Sequence, residues 1–313
     1  MHVLVTGGNG YFGSVTLKAL HTSTVVTEIT ALVRKPERFT AGKYSWIPQE
    51  VVFADLEKLV RGDMSLEGID LVCHLAAGGR ENGNPAEIAS SLELTQTLLA
   101  HAVSANVKGF VVASSQAVYG TEPPIWNEGN PAAPVSLYGM GKHAAELLAR
   151  QTALLVPGMN TVSLRFSKLV GPSPMFRISN SELPHVLTYC AATGKSVTMP
   201  GDGRQMLDLL DVRDAASAIV RVLKKSPEQW PEVMNVGSGK QVTALEVART
   251  VSAVSKQKAG KPLHFRLNDT RKSPYRNFGM SIERLEDFLQ WRPEHTLEQT
   301  VTDVLSALKK SDA

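Results

Sequence analysis

Cysteine is nearly missing from this chain. Two among 313 residues, Cys73 and Cys190, cannot build a disulfide framework, and their spacing suits no metal site. The eight histidines are scattered, with no H-x-x-x-H pair and no Cys/His cluster, so metal chemistry is not expected. Neither sign of charge dominates. Lys plus Arg number 33 against 30 for Asp plus Glu, a net +3, and no basic tract or aromatic-interleaved basic stripe offers a nucleic-acid surface. Long apolar runs are missing too. None approaches the length of a membrane span, and the chain opens on a strand-like run, His2–Thr6, with no room for a signal peptide. These absences lead to the expectation of a soluble protein of a reducing compartment, most simply the cytoplasm, with neither nucleic acid nor membrane as partner.

What the chain does have is length and apolar content. With 43% hydrophobic residues it can bury a large core, organised as two domains or as one domain with an added lobe. Apolar runs at Val3–Thr6, Ile29–Val33, Val51–Ala54, Leu71–Leu75, Phe110–Ala113 and Thr161–Arg165 read as strands. Helix-like stretches separate several of them, clearest at Pro85–Ser104 and Tyr138–Leu155. Strands apolar on both faces and alternating with helices imply an α/β fold with a doubly wound parallel (Rossmann) sheet. Past about residue 170 the rhythm changes. Pro172, Pro174, Pro184, Pro200 and the Gly201–Gly203 turn interrupt it, and Val233–Val236 reads as one more strand. From roughly 240 the chain looks helical and polar, with Trp291 and Leu297 as packing points. The expected division is a dinucleotide-binding domain over 1–170 and a smaller substrate-capping lobe over 171–313, with segments around 205–237 returning to the main domain.

The first strand runs straight into Gly7-Gly8-Asn9-Gly10-Tyr11-Phe12-Gly13, a G-x-x-G-x-x-G turn that opens a helix. One glycine permits the tight turn, one lets backbone approach a pyrophosphate, and one lets helix and strand pack closely. The helix N-terminus then offers free N–H groups and a positive dipole end to the phosphates. Asp55, after the third strand, is placed to hold an adenine amino group, and His74-Leu75-Ala76-Ala77 supplies small residues where chain and cofactor would pass closely. The second strand ends in Arg34-Lys35 rather than in a carboxylate. A free ribose 2′-hydroxyl favours an acidic residue there, whereas a 2′-phosphate favours Arg, so the sequence leans to NADP over NAD.

Tyr138 and Lys142 stand four apart, on one face of a helix. A phenol titrates near 10, and a neighbouring ammonium lowers that value. Tyr138 is therefore the expected general acid/base, with Lys142 holding the nicotinamide ribose, and Ser115, at the end of the fifth strand, the hydroxyl on the reacting oxygen. A Y-x-x-x-K pair alone says little, but here it follows a predicted strand and opens a helix.

Together, TGGNGYFG, HLAA, SSQAVYG, YGMGK and the run Leu164–Pro172 resemble the extended short-chain dehydrogenases/reductases, nearest to the NAD-dependent epimerase/dehydratase family typified by UDP-glucose 4-epimerase. The likeness continues through Gly201–Gly203, Asp211–Asp214 and Asn235–Gly239. It implies hydride transfer at a nucleotide sugar or a related hydroxyl or ketone, with NAD or NADP bound along Gly7, Asn9, Gly10, Tyr11, Phe12, Gly13, Arg34, Asp55, Leu56, Leu75, Ala76, Ala77, Tyr138 and Lys142. Substrate would meet Arg80, Ser115, Gln116 and Lys168. The sequence also departs from the family pattern. Dehydratases carry Asp-Glu after the catalytic hydroxyl residue, where this chain has Gln116-Ala117. Epimerases commonly have Asn where Lys168 stands and Arg where Leu207 precedes Asp208, and an Asn on the fourth helix is replaced by Ser91. These departures keep open a one-way NADP(H)-dependent carbonyl reductase on a non-nucleotide substrate, and, less in keeping with an intact Ser-Tyr-Lys set, a non-catalytic dinucleotide sensor. Arg80, Lys168, Arg204 and Arg276 could together form an anion site. Leu98, Leu99, Leu147 and Leu148 on the two long helices fit a homodimer, as family members often form through these helices, or plain intrachain packing.

Overall fold

The computed structural model describes residues 1–39, 51–76, 84–121, 125–175, 182–271 and 277–311. Its first half runs β1 (His2–Thr6), α1 (Tyr11–His21), β2 (Glu28–Val33), β3 (Val51–Asp55), α2 (Leu56–Val60), β4 (Leu71–His74), α3 (Pro85–Ser104), β5 (Gly109–Ser115), β6 (Ile125–Trp126), α4 (Leu137–Leu155) and β7 (Asn160–Phe166). The second half continues with β8 (Lys168–Val170), α5 (Leu183–Thr193), β9 (Val197–Pro200), β10 (Met206–Asp211), α6 (Val212–Leu223), β11 (Val233–Val236), β12 (Gln241–Thr243), α7 (Ala244–Ala259), β13 (Phe265–Asn268), β14 (Gly279–Met280), α8 (Glu283–Leu289) and α9 (Leu297–Ser311).

Seven strands form one parallel sheet in the order β11-β7-β5-β4-β1-β2-β3. Side chains alternate across it, as a strand demands. Val3 and Val5 enter a core shared with Leu17, Leu20, Ile219 and Val222, while Leu4 between them points into a second core with Val72, Leu98, Leu99 and Ala149. Both faces are thus covered, by α1 and α6 on one side and α3 and α4 on the other, which is why these strands read as unbroken apolar runs. β1 lies between β2 and β4, so the chain leaves it in opposite directions. A crevice opens beyond the carboxyl ends of β1 and β4, the usual place for a ligand in such a sheet.

Observed strand ends differ from expectation by one or two residues. β4 stops at His74, not Leu75. β5 runs on to Ser115 because its pairing with β7 continues through Ser115 opposite Phe166. That extension places Ser115 at the mouth of the crevice.

A third core, with Leu183, Leu187, Leu207, Val247, Val251 and Val301, unites α5, α7 and α9 with β9 and β10. Here α7 opens with a reciprocal cap between Thr243 and Glu246. The stretch from 240 onward is less purely helical than its polarity implies, since β12, β13 and β14 interleave with α7, α8 and α9. Trp291 and Leu297 both pack, Trp291 in the first core and Leu297 against the third. α6 lies on α1, and β11 pairs with β7 at the edge of the main sheet.

Candidate active site

Gly7 takes φ +71°, a left-handed conformation that leaves its carbonyl facing the start of α1. A Cβ there would lie 2.9 Å from the Ala76 backbone nitrogen, and one at Gly13 would lie 2.0 Å from the Gly7 carbonyl oxygen. Both positions therefore need glycine for different reasons, backbone sign at the first and close packing at the second. Gly10 caps α1 without any side-chain hydrogen bond, and no acidic residue occupies the first turn. The N–H groups of Tyr11, Phe12 and Gly13 have no acceptor within the helix. An uncapped helix end with a positive dipole, in a cradle that any Cβ would fill, fits a dinucleotide pyrophosphate. The side chains of Tyr11 and Phe12 face elsewhere. Tyr11 donates its hydroxyl to the Gly171 carbonyl at 2.9 Å, and Phe12 packs edge-on against Phe166.

Three segments converge beside this turn. Ser115 ends β5, and its hydroxyl accepts the Ala117 N–H at 3.1 Å. Ser136 caps α4 by accepting the Gly139 N–H, which fixes where Tyr138 emerges. A Cβ at Gly139 would meet the Ala117 carbonyl oxygen at 2.1 Å, so the first turn of α4 lies directly on the Gln116–Val118 segment. One turn later Lys142 donates its ammonium to the Ala113 carbonyl at 2.5 Å, 5.8 Å from the centre of the Tyr138 ring. Strand end and helix start are thereby tied into one unit. Burial pushes the Lys142 ammonium down to about 8, against the opposing pull of the Glu146 carboxylate.

Below this unit runs a buried chain of hydrogen bonds that the sequence did not announce. Ala76 N–H donates to the Thr6 hydroxyl at 3.1 Å, and Thr6 lies 2.8 Å from His74 Nδ1. His74 Nε2 lies 3.0 Å from the Thr95 hydroxyl, which donates to the Ser91 carbonyl. With Thr95 donating onward, His74 must donate from Nε2 and accept at Nδ1. Burial first, then the nearby Lys142 charge, hold this histidine neutral, with its pKa lowered to about 3. The chain fixes the loop at Ala76 against the glycine turn. A small cavity of about 10 Å³, close to the space of a single water, lies among His74, Ser91, Thr95, Tyr138 and Lys142.

Residues 3–237 match the NAD dependent epimerase/dehydratase family. The chain belongs to that family. It is 27% identical to an uncharacterized UDP-glucose epimerase of Bacillus subtilis, YtcB, over 98% of each chain. It is also 27% identical to a dTDP-glucose 4,6-dehydratase of Actinoplanes, over 94% of this chain and 93% of that one. Among solved structures, the UDP-glucose 4-epimerase of Thermotoga maritima superposes with a TM-score of 0.83 over the whole of both chains, at 22% identity. The protein is therefore an enzyme with the family's Rossmann-type fold.

As a member of this epimerase/dehydratase family the chain has peculiarities that its structure clarifies. Lys168 pairs with Glu182 at 3.0 Å, two residues past the strand end that lies opposite Ser115. Leu207, where epimerases commonly carry Arg, is 1% exposed in the core of the lobe. Arg204 is largely exposed and 3.8 Å from Asp202, a solvated surface pair. Ala77, and Arg80 and Arg276 of the expected anion site, lie outside the described residues. Arg34 and Lys35 are exposed beyond β2, beside Asp55, whose carboxylate accepts the Glu57 N–H and so caps α2; Leu56 begins that helix. Asn9 and Leu75 are half-buried at the edges of the crevice. Gln116 opens the turn after Ser115, and its Oε1 is buried with no partner among the described residues. Among the described residues, no group of three or more His, Cys, Asp or Glu could hold a metal, and no helix is long and apolar enough to cross a membrane.

Proposed function

We propose that this enzyme is a nucleotide-sugar epimerase that uses Tyr138 as its acid/base, Lys142 to hold the cofactor ribose and to depress the phenol, and Ser115 to hold the reacting oxygen. The observation that carries this reading is the tie between the Ser115 strand end and the Tyr138–Lys142 helix, built beside an uncapped glycine turn. Relatives named as acting on UDP-glucose and UDP-arabinose support the substrate class. Gln116-Ala117, in place of an Asp-Glu pair, argues for epimerisation over elimination of water.

The residues divide the work as follows. The turn from Gly7 to Gly13 binds the pyrophosphate, with Leu75 and Ala76 beside the dinucleotide and Asp55 at its adenine. When bound, NAD supplies a nicotinamide carbon that takes a hydride and gives it back. Tyr138 accepts the proton of the sugar hydroxyl as the sugar carbon bearing it loses its hydride and is oxidised, and returns it after the sugar has turned its other face. Lys142, charged below pH 8, stabilises the phenolate through this cycle. Ser115 donates a hydrogen bond to the same sugar oxygen, Gln116 offers a free acceptor beside it, and Lys168 meets an acidic group of the substrate.

A second reading rests on Arg34 and Leu207. A guanidinium beyond β2 suits a 2′-phosphate, and an aliphatic residue at the usual diphosphate contact suits a substrate without one. Both favour an NADPH-dependent carbonyl reductase. Denaturing the freshly purified enzyme and identifying the released dinucleotide separates the two. Stoichiometric NAD, with interconversion of UDP-glucose and UDP-galactose, supports the epimerase. An empty protein that binds NADPH better than NADH supports the reductase.

The enzyme is further proposed to act as a homodimer through α3 and α4. Leu147 and Leu148 are 43% and 36% exposed, with Leu154 and Leu155 more so. Leu98 and Leu99, by contrast, turn into the chain's own core and contribute nothing to such a contact. Sedimentation as a monomer at micromolar concentration would remove the dimer.

A further inference from the structure

Glu146 follows Lys142 by one further helical turn, so Tyr138, Lys142 and Glu146 share a face of α4. It is 6% exposed, an unusual place for a carboxylate unless it is paired. Four contacts converge on it. Arg165 reaches Oε1 through Nε at 2.9 Å and Oε2 through Nη2 at 2.7 Å. The Ser114 hydroxyl donates to Oε1, and His143 Nδ1 lies 3.3 Å from Oε2.

A buried ion pair is weak evidence of stability, since desolvation offsets most of the attraction. Its position is more telling. Ser114 directly precedes Ser115, and Arg165 on β7 stands opposite Ser114 in the sheet register. Lys142 donates to Ala113, the residue before Ser114. The three consecutive residues at the end of β5 thus carry the Lys142 acceptor, the Glu146 donor and the substrate-side hydroxyl in turn. Arg165 in addition lies over the Tyr119 ring at 4.8 Å, and Tyr119 donates to Asn235 on β11, which ties the node to the neighbouring strands.

We propose that Glu146 is a positioning residue, which sets both the register of Ser115 against Tyr138 and the charge of Lys142 by clamping α4 to β5 and β7. The proposal rests on the acid/base roles given above for those residues. Its electrostatic half has support in the Lys142 ammonium, lowered by burial and raised by Glu146. The other groups facing Lys142 are the Tyr138 phenol on α4, the neutral His74 on β4, the uncharged Ser91 and Thr95 on α3, and, across the carboxylate, Arg165 on β7. Among these named groups, Glu146 carries the negative charge.

The test is to read the Lys142 titration directly. Lysines of wild type and Glu146→Gln are reductively methylated with labelled formaldehyde, the Lys142 signal is assigned by Lys142→Arg, and both proteins are titrated by NMR. Expected is a Lys142 pKa lower by about one unit in Glu146→Gln, with the alkaline limb of kcat/KM moved to lower pH by the same amount. A folded Glu146→Gln protein with an unmoved Lys142 titration overturns the proposal.

If that variant does not fold, Glu146→Gln/Arg165→Met is compared with Arg165→Met, so that only the carboxylate differs; Lys142 should titrate lower in the double variant, and equal titrations overturn the proposal. A cavity of about 200 Å³, lined in part by His143, Glu146, Arg150 and Arg165, admits a small anion. Formate should accordingly restore the Lys142 titration and the rate of Glu146→Ala, and a folded Glu146→Ala protein indifferent to formate counts against the proposal. The NMR titration needs no turnover, so a wild type that epimerises nothing would refute the function while leaving this measurement intact.

Discussion

A phenol releases its proton reluctantly at neutral pH, and in the role proposed for it Tyr138 depends on one neighbour, Lys142, whose own charge is precarious. Replacing Tyr138 by Phe should cut turnover by about 10²–10⁴-fold while dinucleotide binding, followed by fluorescence titration, stays near the wild-type value. Undiminished turnover would remove Tyr138 from the mechanism. Lys142 should give the rate its alkaline limit. The ammonium is lost as pH rises through about 8, so kcat/KM should fall over that range, and a profile flat to pH 10 would contradict the assignment. At this scale the places in the fold of the glycine turn, Ser115, Tyr138 and Lys142 were legible in advance, because each motif has fixed spacing and a fixed place after a strand; their roles are the proposal made above. His74 and Glu146 were not. Their importance comes from burial and from partners 19 to 68 residues away, such as Thr6, Thr95 and Arg165, which local spacing does not encode.

Between elements, buried histidines act as rivets that work only when neutral. His74 joins β1, β4 and α3, and His185 joins α5 to the loop after β8 through Gly171. Burial lowers their pKa values from 6.5 to about 3 and about 4, with hydrogen bonding of the ring to the Gly171 carbonyl opposing the shift at His185. In the unfolded chain both rings take protons near pH 6.5, so below that value the unfolded state binds more protons than the folded one. Stability is complete above pH 6.5 and declines toward pH 4 by about 1.4 kcal/mol per pH unit for each ring. Urea midpoints should accordingly be lower at pH 5 than at pH 7, and His74→Asn should flatten that dependence. Asp208, whose carboxyl is raised by burial, works in the opposite sense, so the difference between wild type and variant is the decisive quantity. An identical slope in the two proteins would exclude His74 as a source. The main strands and the two long helices were readable because their apolar pattern is long and uniform. The short strands β8, β9, β12, β13 and β14 were not, being two to four residues long and specified by their neighbours instead of by their own pattern.

At the scale of the molecule, the change of sequence texture near 170 does not end the main sheet, which takes β11 from beyond it. α6 covers α1, and β11 completes the sheet beside β7. A chain ended at residue 170 leaves β7 as a bare apolar edge and strips the Ile219 and Val222 side of the first core. It should be largely insoluble, or melt well below the full chain, when both are expressed in parallel. A soluble 1–170 fragment with a cooperative melt would show that the return of β11 is dispensable.

The same crossing of the chain has a consequence on the ribosome. Residues 167–232 separate β7 from the strand that covers its edge, and at roughly 5–20 residues per second several seconds pass between the emergence of one and the other. During that interval the nascent sheet presents a parallel edge with no mate. That exposure falls before the enzyme is finished, and a pause in translation within 167–232 lengthens it directly.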